Sequence, residues 1–329
     1  MENPEKPGDI SRKGQELLRL TGQPGTDHNS KVWILKCLAC GHVYGCNSTD
    51  AWERKCPHCG GGKAGLELPA ERDGEDWTYE EHIIAFSLYN QITFGTIGMR
   101  NPKVVELAAV LGRTPGSVSY KLTNFVRFDP SLKTRGIRGN EHGAKGEEQI
   151  WKEFAQRPES LAFESARLLA AHLGTSVEKV ADIEQGDLPP AGIEREALVR
   201  LRVKQSFFRK RILSAYGFRC CVTGITVPSL LVASHIVPWA EDEAHRLNPQ
   251  NGLCLNALHD RAFDRRLMWI DDGYIIRFSE KLLTELSGPE GSLKWLTSFE
   301  GKTLTIPKAF GPDPNLLLRH SKRCRNGNG

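Results

Sequence analysis

From residue 230 to residue 264 the chain reads LLVASHIVPWAEDEAHRLNPQNGLCLNALHDRAFD. Leu230 to Ser234 is a short apolar strand that delivers His235, and the Ile236-Val237-Pro238-Trp239 behind it is a rigid turn because proline fixes its own φ. Asn251 precedes a second strand, Gly252 to Leu255, which leads to a helix opening near His259. This strand, strand, helix order is a ββα unit, and it would bring His235, Asn251 and His259 around one point. Downstream, Met268 to Ile276 reads as a hairpin with an Asp272-Gly273 turn that completes the unit's sheet, and RHSKRCRNGNG at the end is a basic, flexible tail.

Widened to Arg195 through Ser279, including VKQSFFRKRILSAYGFRCCVTGITVPSLLVASHIVPWAEDEAHRLNPQNGLCLNALHDRAFDRRLMW, the sequence resembles the HNH, or ββα-metal, endonuclease family, in particular its branch associated with bacterial restriction enzymes. The resemblance implies hydrolysis of DNA phosphodiester bonds. That chemistry needs an activated water, a cation to neutralise charge on the phosphoryl oxygens and a donor for the leaving oxygen. His235 would be the general base, since an imidazole titrating near pH 6.5 can take a proton from water at neutral pH. His259 would hold a catalytic Mg²⁺ or Mn²⁺, with Asp264 as a second ligand or a helix anchor. Asn251 would either bind near the metal or hydrogen-bond the His235 backbone and orient the ring.

Two departures from the family pattern stand out. Ser234 replaces the Asp or His that many members carry before the base. Many relatives also bind a structural zinc through two CxxC pairs, whereas this region keeps only Cys220 or Cys221 and Cys254, so no zinc is expected in it. A hydrophobic core around Leu253, Cys254, Leu255, Phe263 and Leu267 would substitute.

Cysteine spacing marks a second site. Cys37-Leu-Ala-Cys40 and Cys56-Pro-His-Cys59 have the paired spacing of a four-cysteine zinc site, with Gly41 and Gly60 relieving the turn after each pair. Four thiolates close the coordination shell, so this Zn²⁺ would be structural. His42, His58 and Cys46 are substitute ligands, and four unligated thiols are the competing reading. The stretch VWILKCLACGHVY through RKCPHCGGG resembles the zinc-ribbon modules found beside nuclease domains, which implies a contact surface rather than catalysis.

Between the two sites the sequence is helical. Thr78, with Glu81 at the capping-box position, opens a helix toward Tyr89. Val104 to Leu111 and Ser117 to Phe125, joined across Gly112, look like a helix-turn-helix whose second helix carries Ser119, Lys121, Thr123 and Asn124 outward. Arg113 and Lys121 there, and Lys204, Arg209 and Arg211 on a basic helix from Arg195 to Ala215, are candidate DNA contacts. A solvated helical hairpin is the plainer alternative.

The 329 residues exceed the roughly 250–300 at which single cores stop growing, so several domains are expected. They are a flexible arm (1–30), a zinc ribbon (31–70), a helical DNA-targeting region (76–185), the HNH domain (195–283) and a C-terminal extension with the basic tail (284–329), an α+β multi-domain chain with its main boundary at Gly186 to Gly192. With 39% hydrophobic and 26% charged residues, collagen, coiled-coil and disordered classes are excluded. The net charge of +4 is too small to identify a polyanionic partner. No apolar run suits a membrane helix and no signal-peptide core opens the chain, so a cytoplasmic location is expected. The expected partner is DNA, with modified DNA as one candidate target, and a homodimer is one route to a double-strand cut. A DNA-binding regulator that kept the HNH scaffold without cleaving is the alternative.

Overall fold

The computed structural model describes residues 4–27, 29–140, 143, 145–285 and 294–326. The chain divides into two compact units, 1–203 and 204–329.

The first unit opens with an antiparallel three-stranded sheet of β1 (Gln15–Pro24), β2 (Lys31–Cys37) and β3 (Val43–Asn47), in the order β1-β2-β3. Its first strand corrects the expectation of a flexible arm over 1–30. Consecutive Leu17 and Leu18 are both buried, 0% and 5% exposed, because both faces of this strand are covered. A register shift against β2 falls between Leu17 and Arg19. Leu17 joins Leu35, Cys37, Tyr44 and Cys46 on one side, while Leu18 joins Ile34 and Val43 on the other.

Five helices of eight residues or more follow: α1 (Tyr79–Gln91), α2 (Pro102–Leu111), α3 (Pro115–Phe125), α4 (Lys145–Phe154) and α5 (Pro158–Leu173). The Thr78 hydroxyl accepts from Glu81 N at 3.2 Å and the Glu81 carboxylate accepts from Thr78 N at 2.9 Å, completing the capping box. Gly112, at φ 69°, supplies the left-handed residue that ends α2, and Thr114 caps α3. Ala109 and Val110 of α2 pack on Leu18, Ile34 and Val43, so ribbon and helices share a core. That corrects the division into separate domains at 31–70 and 76–185.

The long helix α6 (Ile193–Ala215) carries residues of both units. Val199 and Val203 pack with Ala166 and Ala181, so the boundary falls after Val203 and not at the Gly186 to Gly192 breaker. Proline and glycine interrupted the helix there without ending the core.

In the second unit β4 (Leu231–His235) pairs antiparallel with β5 (Gly252–Asn256), setting Ser234 opposite Leu253 and His235 opposite Gly252. Helix α7 (Ala257–Asp264) packs across both strands, giving the ββα unit. Gly252 sits against Phe208 and Ile212 of α6, where a Cβ would lie 2.3 Å from an Ile212 methyl. Strands β6 (Met268–Ile270) and β7 (Ile276–Phe278) form the expected hairpin but a separate sheet, a correction to the idea that they extend β4-β5. The tail is also corrected: Pro314–Asn326 is a helix, α8, with Leu316, Leu317, His320 and Cys324 buried and its contacts on β6. Among the described residues no helix is long and apolar enough to cross a membrane.

Candidate active site and cysteine metal centre

His235 ends β4, its ring stacked on Phe208 at 3.8 Å between centroids and edge-on to Trp239 at 5.5 Å. Its Nε2 lies 2.9 Å from the carbonyl oxygen of Arg246. A carbonyl can only accept, so Nε2 carries the proton and Nδ1 keeps the lone pair. Burial pulls the imidazole pKa below its ordinary value, outweighing the opposing pull of that hydrogen bond. The ring is neutral at pH 7, with one nitrogen fixed as donor and the other open as acceptor.

Asn251 is fully buried, and its amide is spent on the backbone. Oδ1 accepts from Val237 N at 2.9 Å, while Nδ2 donates to Val237 O at 3.1 Å and His245 O at 3.2 Å. It ties together the two ends of the loop between His235 and itself. Of its two expected roles, the backbone one is the role this geometry serves, although the bonded residue is Val237 rather than His235.

His259 is 0% exposed, its Nδ1 receives Asn256 Nδ2 at 2.8 Å, and its Nε2 donates to Leu296 O at 3.0 Å. Trp295 and Phe299 meet the ring edge-on. Both nitrogens are engaged inside the protein, so a metal held by His259 would have to displace one of these bonds. The apolar stripe of α7 explains this placement: His259, Ala262 and Phe263 are its buried positions, at helical spacing.

The opposite face of α7 carries Asp260 and Asp264, one turn apart. Asp260 faces Ser234, whose buried hydroxyl oxygen makes no hydrogen bond of normal geometry. Burial raises the Asp260 pKa and the Asp264 charge adds to it, against the Ser234 hydroxyl and Arg261. Partial desolvation likewise raises Asp264, against Arg261 and Arg265. Asp260 and Asp264, with the Ser234 hydroxyl beside Asp260, are oxygen donors of the kind that Mg²⁺ or Mn²⁺ takes. The sequence analysis named Asp264 and not Asp260; the i, i+4 carboxylate spacing in HDRAFD was the available signal.

In the first unit the Sγ atoms of Cys37, Cys40, Cys56 and Cys59 all lie within 4.8 Å of one another, with Cys37 to Cys59 at 3.6 Å and Cys40 to Cys56 at 3.7 Å. Four sulfurs about 2.3 Å from a tetrahedral zinc would stand roughly 3.8 Å apart, so the cluster fits such a metal. Among the described residues it is the one group of three or more such ligands. Gly41 N donates to Cys37 O at 2.8 Å and Gly60 N to Cys56 O at 3.0 Å, folding each pair back on itself. Burial would raise the Cys37 thiol, yet backbone N–H groups of Cys40 and Ala39 and the Cys59 thiol hold it down to about 7. Cys59 is pushed up to about 12 by its hydrogen bonds to Cys40 and Cys37. Thiols this close share protons until a cation replaces them.

The candidate DNA contacts are largely spent inside the protein. Arg113, 3% exposed, donates to both Glu81 oxygens at 3.1 and 2.8 Å and to the carbonyls of Glu75 and Asp76. Lys121, 6% exposed, is bonded to the fully buried Glu147, which also accepts from Asn124 at 3.1 Å. Lys121 and Asn124 therefore point inward, and neither Arg113 nor Lys121 reaches a surface where a phosphate could sit. Arg209 donates to Leu231 O and Pro228 O, Arg211 donates to Leu247 O, and Lys204 is half-buried.

Among known families, the HNH endonuclease model matches residues 220–271. The second unit thus carries an HNH endonuclease region containing β4, β5 and α7, and nuclease activity in general is what that region suggests. Comparison with curated proteins returned no match.

Proposed function

We propose that the protein is a metal-dependent DNA endonuclease of restriction type, acting in the cytoplasm, with His235 as its general base. The observation that carries this reading is the Nε2 contact to Arg246 O, which leaves Nδ1 as the one proton acceptor of a neutral ring. Asp260 and Asp264 are the residues to hold Mg²⁺ or Mn²⁺, with the Ser234 hydroxyl beside them. Such a cation would neutralise charge on the phosphoryl oxygens. Asn251 keeps the base loop in register, and His259 fixes α7 in the core. The exposed Arg261 and Arg265 are suited to phosphate contact on the carboxylate side.

The Cys37, Cys40, Cys56, Cys59 cluster holds Zn²⁺ in a structural role, and the first unit selects the target. On α3 the outward positions are Ser119, Tyr120 and Thr123, with Tyr120 57% exposed, so a helix-turn-helix contact to DNA would rest on these. One such site cuts one strand, and a double-strand break would take a homodimer or two successive events.

The test is cleavage of phage and plasmid DNA, modified and unmodified, with Mg²⁺, Mn²⁺ or EDTA, comparing wild type with His235→Ala. Metal-dependent cutting by wild type alone supports the reading and shows whether modification directs it. DNA binding without cutting would favour a regulator on an HNH scaffold, and full cutting by His235→Ala would remove the proposed base.

A further inference from the structure

The C-terminal helix α8 lies outside the region matched to the HNH family, yet it touches both sides of the candidate site. On one side His320 stacks on Phe263 of α7 at 3.8 Å and 7° between ring planes, and its Nε2 donates to Phe263 O at 3.2 Å. Phe263 is next to Asp264 in the helix that carries the carboxylates. On the other side Arg319 pairs with Asp242 and Arg323 with Glu241, both on the loop between His235 and Asn251. The helix is also tethered at its start, where Asp313 N donates to Gln250 O at 2.9 Å.

That loop presents the acceptor for His235. Asp242, only 11% exposed, also accepts from His245 Nδ1 at 2.7 Å. The Glu243–His245 turn leads directly into Arg246, whose own side chain is pinned by Nε to Trp239 O at 2.9 Å and by an ion pair with Glu243 at 3.1 Å. The Arg246 carbonyl is therefore held from the loop, and the loop is held from α8.

We propose that α8 is a positioning element of the nuclease site. Arg319 and Arg323, acting through Asp242 and Glu241, fix the Arg246 carbonyl and with it the tautomer and orientation of His235. The proposal rests on the reading of His235 as the base. Neither arginine touches the reacting atoms; both act through the loop. The chemistry of the device is simple: a carbonyl that stays within hydrogen-bond reach of Nε2 keeps the proton there and Nδ1 open. A loop free to move lets the imidazole sample both tautomers and other orientations.

The experiment uses the full chain with Arg319→Ala and Arg323→Ala combined, the corresponding double lysine variant, and His235→Ala. Two readouts are taken: single-turnover cleavage of plasmid DNA beside DNA affinity, and the ¹⁵N resonances of the His235 ring in DNA-free protein at neutral pH, assigned by their loss in His235→Ala. The double alanine variant is expected to cut about tenfold or more slowly with little change in affinity, the cost of misplacing a catalytic group. Its ring nitrogens should move from the pattern of a single Nε2–H tautomer toward an exchange average. The lysine variant should recover most of both. Wild-type cleavage and unmoved nitrogens in the double alanine variant would overturn the proposal while leaving an inactive His235→Ala, and so the base, intact. Cleavage by His235→Ala, or none by wild type, would instead remove the base and the positioning role together. Should the double variant fail to fold, Arg319→Gln and Arg319→Lys are read by the same nitrogen resonances, and identical spectra from both would reject the role.

Discussion

Asp260 and His259 are sequence neighbours with opposite environments, and substitutions should separate them. Asp260→Asn keeps size and shape but removes the charge that would hold a divalent cation, so metal-dependent cleavage should be lost while the melting temperature holds or rises, since a raised carboxylate pKa marks a charge that burial disfavours. His259→Ala empties a closed aromatic pocket and strands Asn256 Nδ2 and Leu296 O, at a cost of roughly 2–4 kcal/mol by thermal or denaturant melting. Retained cleavage in Asp260→Asn would remove it from the cation site. His320 supplies a pH test. Burial lowers its pKa from 6.5 to about 4. Between those values the unfolded chain binds a proton that the folded chain refuses, so stability is present above pH 6.5 and declines as pH falls toward 4. The decline should be on the order of 3 kcal/mol, and a His320→Phe variant, which keeps the stack on Phe263, should show a flatter stability profile over that window.

Helix α3 shows why element-level reading succeeded for secondary structure and failed for surfaces. Its start at Thr114 and Pro115 and the left-handed Gly112 before it are local features that a sequence displays, as are the Thr78 capping box, the two strands around His235 and the cysteine pairs. Which face of α3 meets the core depends on partners far along the chain. Lys121 is turned inward by Glu147, and Arg113 by Glu81. A cation opposite a buried carboxylate at a separation of 26 or 32 residues looks the same in sequence as one awaiting a phosphate. The β1 strand was hidden for a related reason, since leucines buried on both of its faces break the one-sided alternation by which strands are recognised. Glu81 carries the consequence for Arg113. Burial would raise the Glu81 pKa, but the Arg113 hydrogen bonds, the Thr78 N–H and Arg72 hold it below the ordinary carboxylate value. Arg113→Ala should therefore cost about 2–3 kcal/mol of stability by leaving that carboxylate underpaired, with Arg72 still beside it. Acid should erase the difference as Glu81 protonates. A variant of unchanged stability and weakened DNA binding would return Arg113 to the surface role.

At the scale of the whole molecule, the division after Val203 assigns the cysteine cluster and the HNH region to different compact units. The cluster closes a small sheet whose second face is part of the helical core through Ile34, Ala109 and Val110, so a metal held there would support more than the ribbon. Stripping that metal should unfold the first unit as a whole, because metal-binding free energy is folding free energy where four sulfurs converge. The second unit has its own core of Phe208, Leu253, Cys254, Leu255 and Phe263 and should melt on its own transition. Cys37→Ser is thus expected to release about one zinc per chain and to abolish one of two calorimetric transitions, leaving the other, and cleavage of unselected DNA, in place. Both transitions lost together would mean that the two units unfold as a single cooperative block. Unchanged zinc content in Cys37→Ser would reject the four-cysteine centre itself.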